Sequence, residues 1–343
     1  RYMYTYLGLN AQKKPVYEKH VFDPYASFDG LVGDIPREIR KEFKFFSSEK
    51  GKNWFKRRNL PYHLTQCYYG EPGTGKSIIA SAVANEHNLH LVRIRLSDIK
   101  DNQEFVKVLR NTDYDGDKLE YKDVLYLFDE FDTQLVNIAE KTNDISVKEY
   151  FKKNKKLKKK LKKQKPKNSE GFLEEDDDLC DLFQELEDDL GEQSKEAITK
   201  HIKEIKSSVS TNNNSDLSIG VVLEELNGVN QMAGRKMIII TNKIDVLEII
   251  HKGAFVRPGR IDKLCELKNM THSEICELLY IMYEDPEFNY MVSGKINNQV
   301  MKLKEYKYSP ATIVNICKTS KTIRDFFINL KKHDEKERAR LNN

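Results

Sequence analysis

Cysteine is sparse in this 343-residue chain: five residues (Cys67, Cys180, Cys265, Cys276 and Cys317), an odd number, far apart and with no CxxC pair. That excludes a disulfide framework or a cysteine zinc site as the organising device and fits a reducing, intracellular compartment. The eight histidines contain no HExxH and no other ligand-like spacing. No apolar run approaches the roughly 20 residues a bilayer-spanning helix needs, and no secretory signal is visible. The chain opens on Arg1 rather than Met, which leaves open an upstream targeting segment or membrane anchor. A net charge of +4 does not by itself imply nucleic acid. The rest is globular in composition, 39% hydrophobic and 10% aromatic, and long enough for a sizeable core and two domains.

The small net charge hides two opposed blocks. Residues 148–167 hold twelve lysines and one acid, and residues 168–194 hold twelve acids and no lysine or arginine. Leu179, Leu182, Phe183, Leu186 and Leu190 fall at helical spacing, as do Ile198, Ile202, Ile205 and Val209. "SSVSTNNNSD" then reads as a linker. We read about 144–216 as an insert in a folded domain, either a solvated charge run or a pair of amphipathic helices that engage a partner or each other.

On both sides of it lie short apolar runs: "QCYY" ending at Tyr69, "LVRIRL" at Leu91–Leu96, "VLYLF" at Val124–Phe128, "MIIIT" at Met237–Thr241, and "KLCEL" at Lys263–Leu267. Helical patterns such as Ser77–His87 separate them, which predicts a parallel α/β sheet covered on both faces. After Leu267 the pattern is helical only. Thr271 with Glu274 reads as a capping box, and Ser309–Pro310 as an N-cap followed by the first helical position. The polar end from Lys331 is expected to fray.

"GEPGTGKS" (Gly70, Glu71, Pro72, Gly73, Thr74, Gly75, Lys76, Ser77) fits G-x-x-x-x-G-K-[ST] between a strand and a helix. Its glycines let consecutive N–H groups face phosphate oxygens, and the following helix offers its positive end to the same anion. Lys76 suits the β- and γ-phosphates of ATP, and the Ser77 hydroxyl suits Mg²⁺. "LYLFDEFD" ends a strand in Asp129, placed for the metal's water shell, and Glu130, placed to deprotonate the attacking water. "IIITN" ends another strand in Asn242, whose amide can bond a γ-phosphate or its water. In "RPGRID", Arg257 and Arg260 flank a Pro-Gly turn and suit an oxyanion in a neighbouring subunit's site.

Together these residues resemble an AAA ATPase from about Phe28 to Leu330, apart from the insert. The motifs are Walker A at Gly70–Ser77, Walker B at Leu125–Glu130, a sensor asparagine at Asn242 and an arginine-finger segment. "SFDGLV", the Trp54–Phe55 pair, "LNG" at Leu226–Gly228 and "SPATIV" at Ser309–Val314 are similar to the branch holding the mitochondrial Rieske-protein translocase and its plant and viral relatives. Lysine- and asparagine-rich usage fits an AT-rich genome such as that of a large DNA virus. The resemblance implies a P-loop AAA+ domain at 28–268 behind an N-terminal extension (1–27), a helical lid at 269–330 and a polar tail at 331–343. It also implies ATP and Mg²⁺ as cofactors, and a homo-oligomeric ring, hexamer or heptamer, acting on a macromolecular client, protein before nucleic acid. Two departures matter. Glu71 stands where the family usually has proline and is expected to point away from the phosphates. "SDIKDN" lacks the aromatic-glycine pair with which many unfolding motors grip a threaded chain. A nucleic-acid motor or loader and a nucleotide-gated scaffold are the rival functions.

Overall fold

The computed structural model describes residues 1–141, 216–227, 232–250, 253–257, 259–283 and 297–342. All but Asp216 belong to one compact unit, 1–147 with 217–343; the other unit, 148–216, otherwise lies outside the described residues. The charge blocks and helical stripes read within 144–215 therefore lie outside the described residues as well.

The strands are β1 (Tyr2–Leu9), β2 (Pro15–Val21), β3 (His63–Tyr69), β4 (His90–Arg93), β5 (Asp113–Tyr114), β6 (Asp117–Lys118), β7 (Val124–Phe128), β8 (Arg235–Thr241) and β9 (Lys263–Glu266). Apart from the β5–β6 hairpin they form one seven-stranded sheet in the order β2-β1-β4-β7-β8-β3-β9. Only β1 with β2 is antiparallel; the other pairings are parallel. The helices are α1 (Asp34–Ser47), α2 (Glu49–Arg57), α3 (Lys76–Glu86), α4 (Asn102–Leu109), α5 (Phe131–Lys141), α6 (Ile219–Leu226), α7 (Ile244–Ile249), α8 (His272–Tyr283), α9 (Pro310–Lys318) and α10 (Ile323–Asn342).

Side chains alternate across the sheet with period two, and each set meets its own helical layer. Tyr68, Leu91, Leu125, Leu127, Ile238 and Ile240 pack with Ile39 and Phe43 of α1 and Ile79 and Val83 of α3. Cys67, Val92, Tyr126, Phe128, Met237 and Ile239 pack with residues of α4 to α7 on the opposite face. Strands β7 and β8 are buried along their whole length, which is why they read as unbroken apolar runs. The expected parallel α/β architecture is the one observed.

A third core joins Met270, Ile275, Leu278, Leu279, Ile313, Ile316, Phe326 and Leu330 of the C-terminal helices. Its helix starts are made as the sequence predicts. Thr271 N–H donates to Glu274 Oε2 at 2.7 Å and Glu274 N–H to Thr271 Oγ1 at 3.2 Å. Thr312 N–H donates to Ser309 Oγ at 3.2 Å.

Three details differ from the sequence reading. The sheet begins at Tyr2, within the segment taken as an extension, because β1 pairs with β4 and Tyr4, Tyr6 and Tyr17 are buried. Their hydroxyls find acceptors: Tyr4 donates to Asp117 at 2.7 Å and Tyr6 to Glu104 at 2.5 Å. The strand expected over Leu91–Leu96 stops at Arg93 and turns into a 3-10 segment at Leu96–Asp98. The tail expected to fray from Lys331 continues α10 as far as Asn342; Asp334 accepts from the Tyr308 hydroxyl at 2.7 Å and pairs with Lys307 at 2.6 Å.

Candidate active site

The glycine loop, Asp129, Glu130 and Asn242 follow the C-terminal ends of the parallel strands β3, β7 and β8, where open α/β sheets carry their ligand crevices, whereas Arg257 and Arg260 precede β9 and are not brought to that edge. Strand β3 runs straight into the glycine loop. Beside it β8 ends at Thr241, so that Asn242 continues the face of Ile238 and Ile240, and beyond it β7 ends before Asp129, on the face of Leu125 and Leu127. Those are the residues of the α3 layer, so Asp129 and Asn242 leave their strands on the side of the glycine-loop helix.

The loop is shaped by glycines at positive φ: Gly70 at 135°, Gly73 at 85° and Gly75 at 96°. Gly70 is required twice over, since a Cβ there would stand 2.0 Å from the Leu267 carbonyl oxygen. Thr74 Oγ1 donates to Glu71 O at 2.8 Å and braces the turn. Lys76 opens α3 and is buried; its ammonium donates to Gly70 O at 2.6 Å and Glu71 O at 2.7 Å. Burial pushes its pKa down, against the pull of Asp132, Asp129 and Glu71. Ser77 is exposed on the first turn of α3. Glu71 turns toward the C-terminal helices, as its departure from proline led us to expect of a group kept off the phosphates: Oε2 accepts from Asn269 Nδ2 at 3.2 Å. Pro72 is exposed beside it.

Those helices close over the same loop. Ala311 N–H donates to Gly73 O at 3.1 Å, and a Cβ on Gly73 would lie 3.1 Å from Ser309 Oγ.

At the end of β7 the chain makes a strained turn. Glu130 is exposed and has φ of 51°, a left-handed conformation that non-glycine residues adopt rarely. Asp129 Oδ1 accepts the Glu130 N–H at 3.0 Å, and Arg93 Nη2 lies 3.6 Å from Asp129 Oδ2. Gln134 of α5 is buried behind the turn, donating to Asp129 O at 2.5 Å and accepting from Leu96 N–H at 2.5 Å. Sequence reasoning missed Arg93 and Gln134. It also missed Asp132, a buried acid near Lys76 whose Oδ1 has no partner. The fourth position of "DEFD" was a visible signal for Asp132; nothing local marked the other two.

The arginine pair is split by environment. Arg260 is half-buried, its Nη1 donating to Ala254 O at 2.6 Å, while Arg257 is exposed. Pro258 between them lies outside the described residues.

The donors suit a triphosphate and a hard cation. Positive-φ glycines and a helix start face the anion, and the oxygens of Ser77 and Asp129 are the few, hard ligands that Mg²⁺ takes from protein. Asp132 adds an unpartnered buried carboxylate oxygen to the same neighbourhood.

Comparison with known proteins agrees with this geometry. Residues 66–269, more than half of the chain, match the ATPase family associated with various cellular activities, AAA. Similar proteins include AAA-ATPase At3g28520 of Arabidopsis thaliana, 34% identical over 93 residues, which are 26% of this chain and 18% of that one. Another is the probable mitochondrial chaperone BCS1-A of Dictyostelium discoideum, 36% identical over 75 residues, 21% of this chain and 17% of the other. The matched stretches thus span about a fifth of the length of these relatives. With the Walker A loop on β3, the acidic pair at the end of β7 and the family match across both, this chain belongs to the AAA ATPases and is an ATP-hydrolysing enzyme of that family.

Proposed function

We propose that the chain is the motor module of a ring-forming AAA ATPase that remodels or translocates a protein client, with Mg²⁺ as the metal. The observation that carries the catalytic part is the strained turn at Glu130, directly after Asp129 and at the strand end next to that of Asn242. Strain of this kind persists where surrounding contacts enforce it, and it gathers at functional sites.

Each residue then has a task. The backbone of Gly70, Glu71, Pro72, Gly73, Thr74 and Gly75 wraps the phosphates, and Lys76 leaves its two loop carbonyls to bond them. Ser77 and Asp129 hold Mg²⁺, which neutralises phosphate charge. Glu130 takes the proton of the attacking water, and Asn242 orients that water or the γ-phosphate. Arg257 and Arg260 serve the site of the adjacent subunit, so the ring, of six or seven subunits, is part of the active site.

The C-terminal helices act as a lid over 269–330, and the segment at about 144–216 interrupts the ATPase domain without being needed for it. Bonds from Asn269 and Ala311 to the glycine loop give lid movement a direct route to the phosphates. A protein client is favoured by the relative whose name is that of a chaperone. We place the protein in a reducing intracellular compartment. No helix among the described residues is long and apolar enough to cross a membrane.

Glu130→Gln tests the core of this reading. It should leave ATP binding intact and lower hydrolysis by about 10²–10⁴-fold, the typical contribution of a general base. Lys76→Ala should instead weaken binding. Hydrolysis at the parental rate in Glu130→Gln would remove Glu130 as the base.

A further inference from the structure

Arg93 has no part in the chemistry proposed above, yet it stands beside it. Strands β4 and β7 run parallel with Arg93 opposite Leu127. Asp129 lies two residues past Leu127, so it leaves on the same face and the two side chains meet at one end of the sheet. The Asp129 carboxylate is divided between two neighbours. Its Oδ1 accepts the Glu130 N–H at 3.0 Å and locks the turn, whereas Oδ2 faces Arg93 Nη2 at 3.6 Å. Oδ2 is thus the oxygen left to face a metal's water shell, and a guanidinium already addresses it. The pair is not sealed off: the two side chains remain 33% and 26% exposed. Deeper in, Arg93 Nε is buried and has no hydrogen-bond partner.

We propose that Arg93 competes with Mg²⁺ for Asp129 and thereby sets the Mg²⁺ concentration at which the site takes up the metal-bound nucleotide. The inference rests on Asp129 being the metal-side carboxylate. A partly exposed ion pair is a weak competitor, so the effect is a tuning of affinity and not a block. Two contributions point the same way. Removing Arg93 frees Oδ2, and it also removes a positive charge that repels the cation.

Nucleotide without metal feels the opposite. Glu130 and Asp132 flank Asp129, and Arg93 offsets part of the repulsion that these three acids exert on ATP phosphates. Losing it should weaken metal-free binding while strengthening the response to Mg²⁺. A guanidinium that merely props up Asp129 would move both in the unfavourable direction.

The test is a binding measurement on the full chain with a fluorescent methylanthraniloyl-ATP, first in EDTA and then titrated with Mg²⁺ at fixed nucleotide. For Arg93→Ala the Mg²⁺ midpoint should fall about 1.5- to fivefold, the range of a weak, partly exposed pair, and the EDTA dissociation constant should rise. Arg93→Lys, which keeps the charge, should stay near the parent. Arg93→Gln keeps the stem and carries the same reading if the alanine variant does not fold. Asp129→Asn separates the two levels of the argument. If it leaves the Mg²⁺ midpoint unchanged, the assignment of Asp129 to the metal fails. If it shifts the midpoint but Arg93→Ala leaves it unchanged or raises it, the competition proposed here fails. In Arg93→Ala/Asp129→Asn the arginine effect on the Mg²⁺ midpoint should shrink to what the lost repelling charge alone supplies, and an effect as large as in the parent background would also overturn the proposal.

Discussion

Lys236 is a lysine in the middle of a sheet, on β8 between two buried strands, with 4% of its surface exposed. Its ammonium donates to Lys122 O at 2.6 Å, and burial pushes its pKa down to about 8. The folded protein therefore releases this proton near pH 8, while the unfolded chain keeps it to about 10.5. Between those values the unfolded state binds more protons, so stability should rise with pH. The tyrosines reverse the trend above pH 10. Burial raises the pKa of Tyr4, Tyr6, Tyr17, Tyr114 and Tyr126, so the unfolded chain loses those protons first. Denaturant melts from pH 7.5 to 10.5, values chosen around these limits, should show a rise and then a fall, and Lys236→Met should remove the rise. The same residue shows where sequence stops being informative. Lys76, Ser77, Asp129 and Glu130 are defined by their immediate neighbours, so the motif displays them. Lys236, Arg93 and Gln134 take their meaning from partners tens of residues away along the chain.

Among elements, α5 does more than cover the sheet. From its first turns Gln134 ties the Asp129 carbonyl to the Leu96 N–H, and so joins the Glu130 turn to the point where β4 gives way to the Leu96–Asp98 segment. Gln134→Leu would leave that carbonyl and N–H without their partner, at a cost of about 1–3 kcal/mol for a buried unpaired group. It should lower the melting temperature and reduce kcat at least about tenfold, while the dissociation constant for ATP stays within about twofold, because the glycine loop is untouched. An equal loss in kcat and in ATP affinity would mean that Gln134 supports the fold alone. The central strands were legible because burial on both faces leaves no polar position to blur the run. The hairpin of β1 and β2 was not read, although "YMYTY" carries the period-two signal of a strand. Tyrosine looks amphipathic in sequence, and only Asp117 and Glu104, brought there by the fold, show that its hydroxyls can be buried.

On the scale of the whole molecule, the split between Arg257 and Arg260 bears on how copies cooperate. Arg260 is held by its own loop through Ala254, which fixes the turn that presents the exposed Arg257. If both serve a neighbour's site, activity per chain should rise with protein concentration as rings assemble. Mixing Arg260→Ala chains with Glu130→Gln chains should recover some hydrolysis, since some interfaces then pair an intact base with an intact arginine. Mixed rings that form without recovery would place the arginines in their own subunit's chemistry. The strand order also fixes a timetable. Strand β3, which carries the glycine loop, pairs with β8 and β9, so its partners are the last strands of the sheet to leave the ribosome. From Tyr69 to Thr241, the end of β8, is 172 residues of further translation, about 9–34 s at ~5–20 residues per second. Through that interval the hairpin of β1 and β2 can already lie beside β4 and β7, while the most recognisable motif of the chain has nothing to pair with. A nascent chain stalled before β8 would hold the Walker A residues and yet be unable to build their loop on a finished sheet, so nucleotide can reward folding only at its final stage.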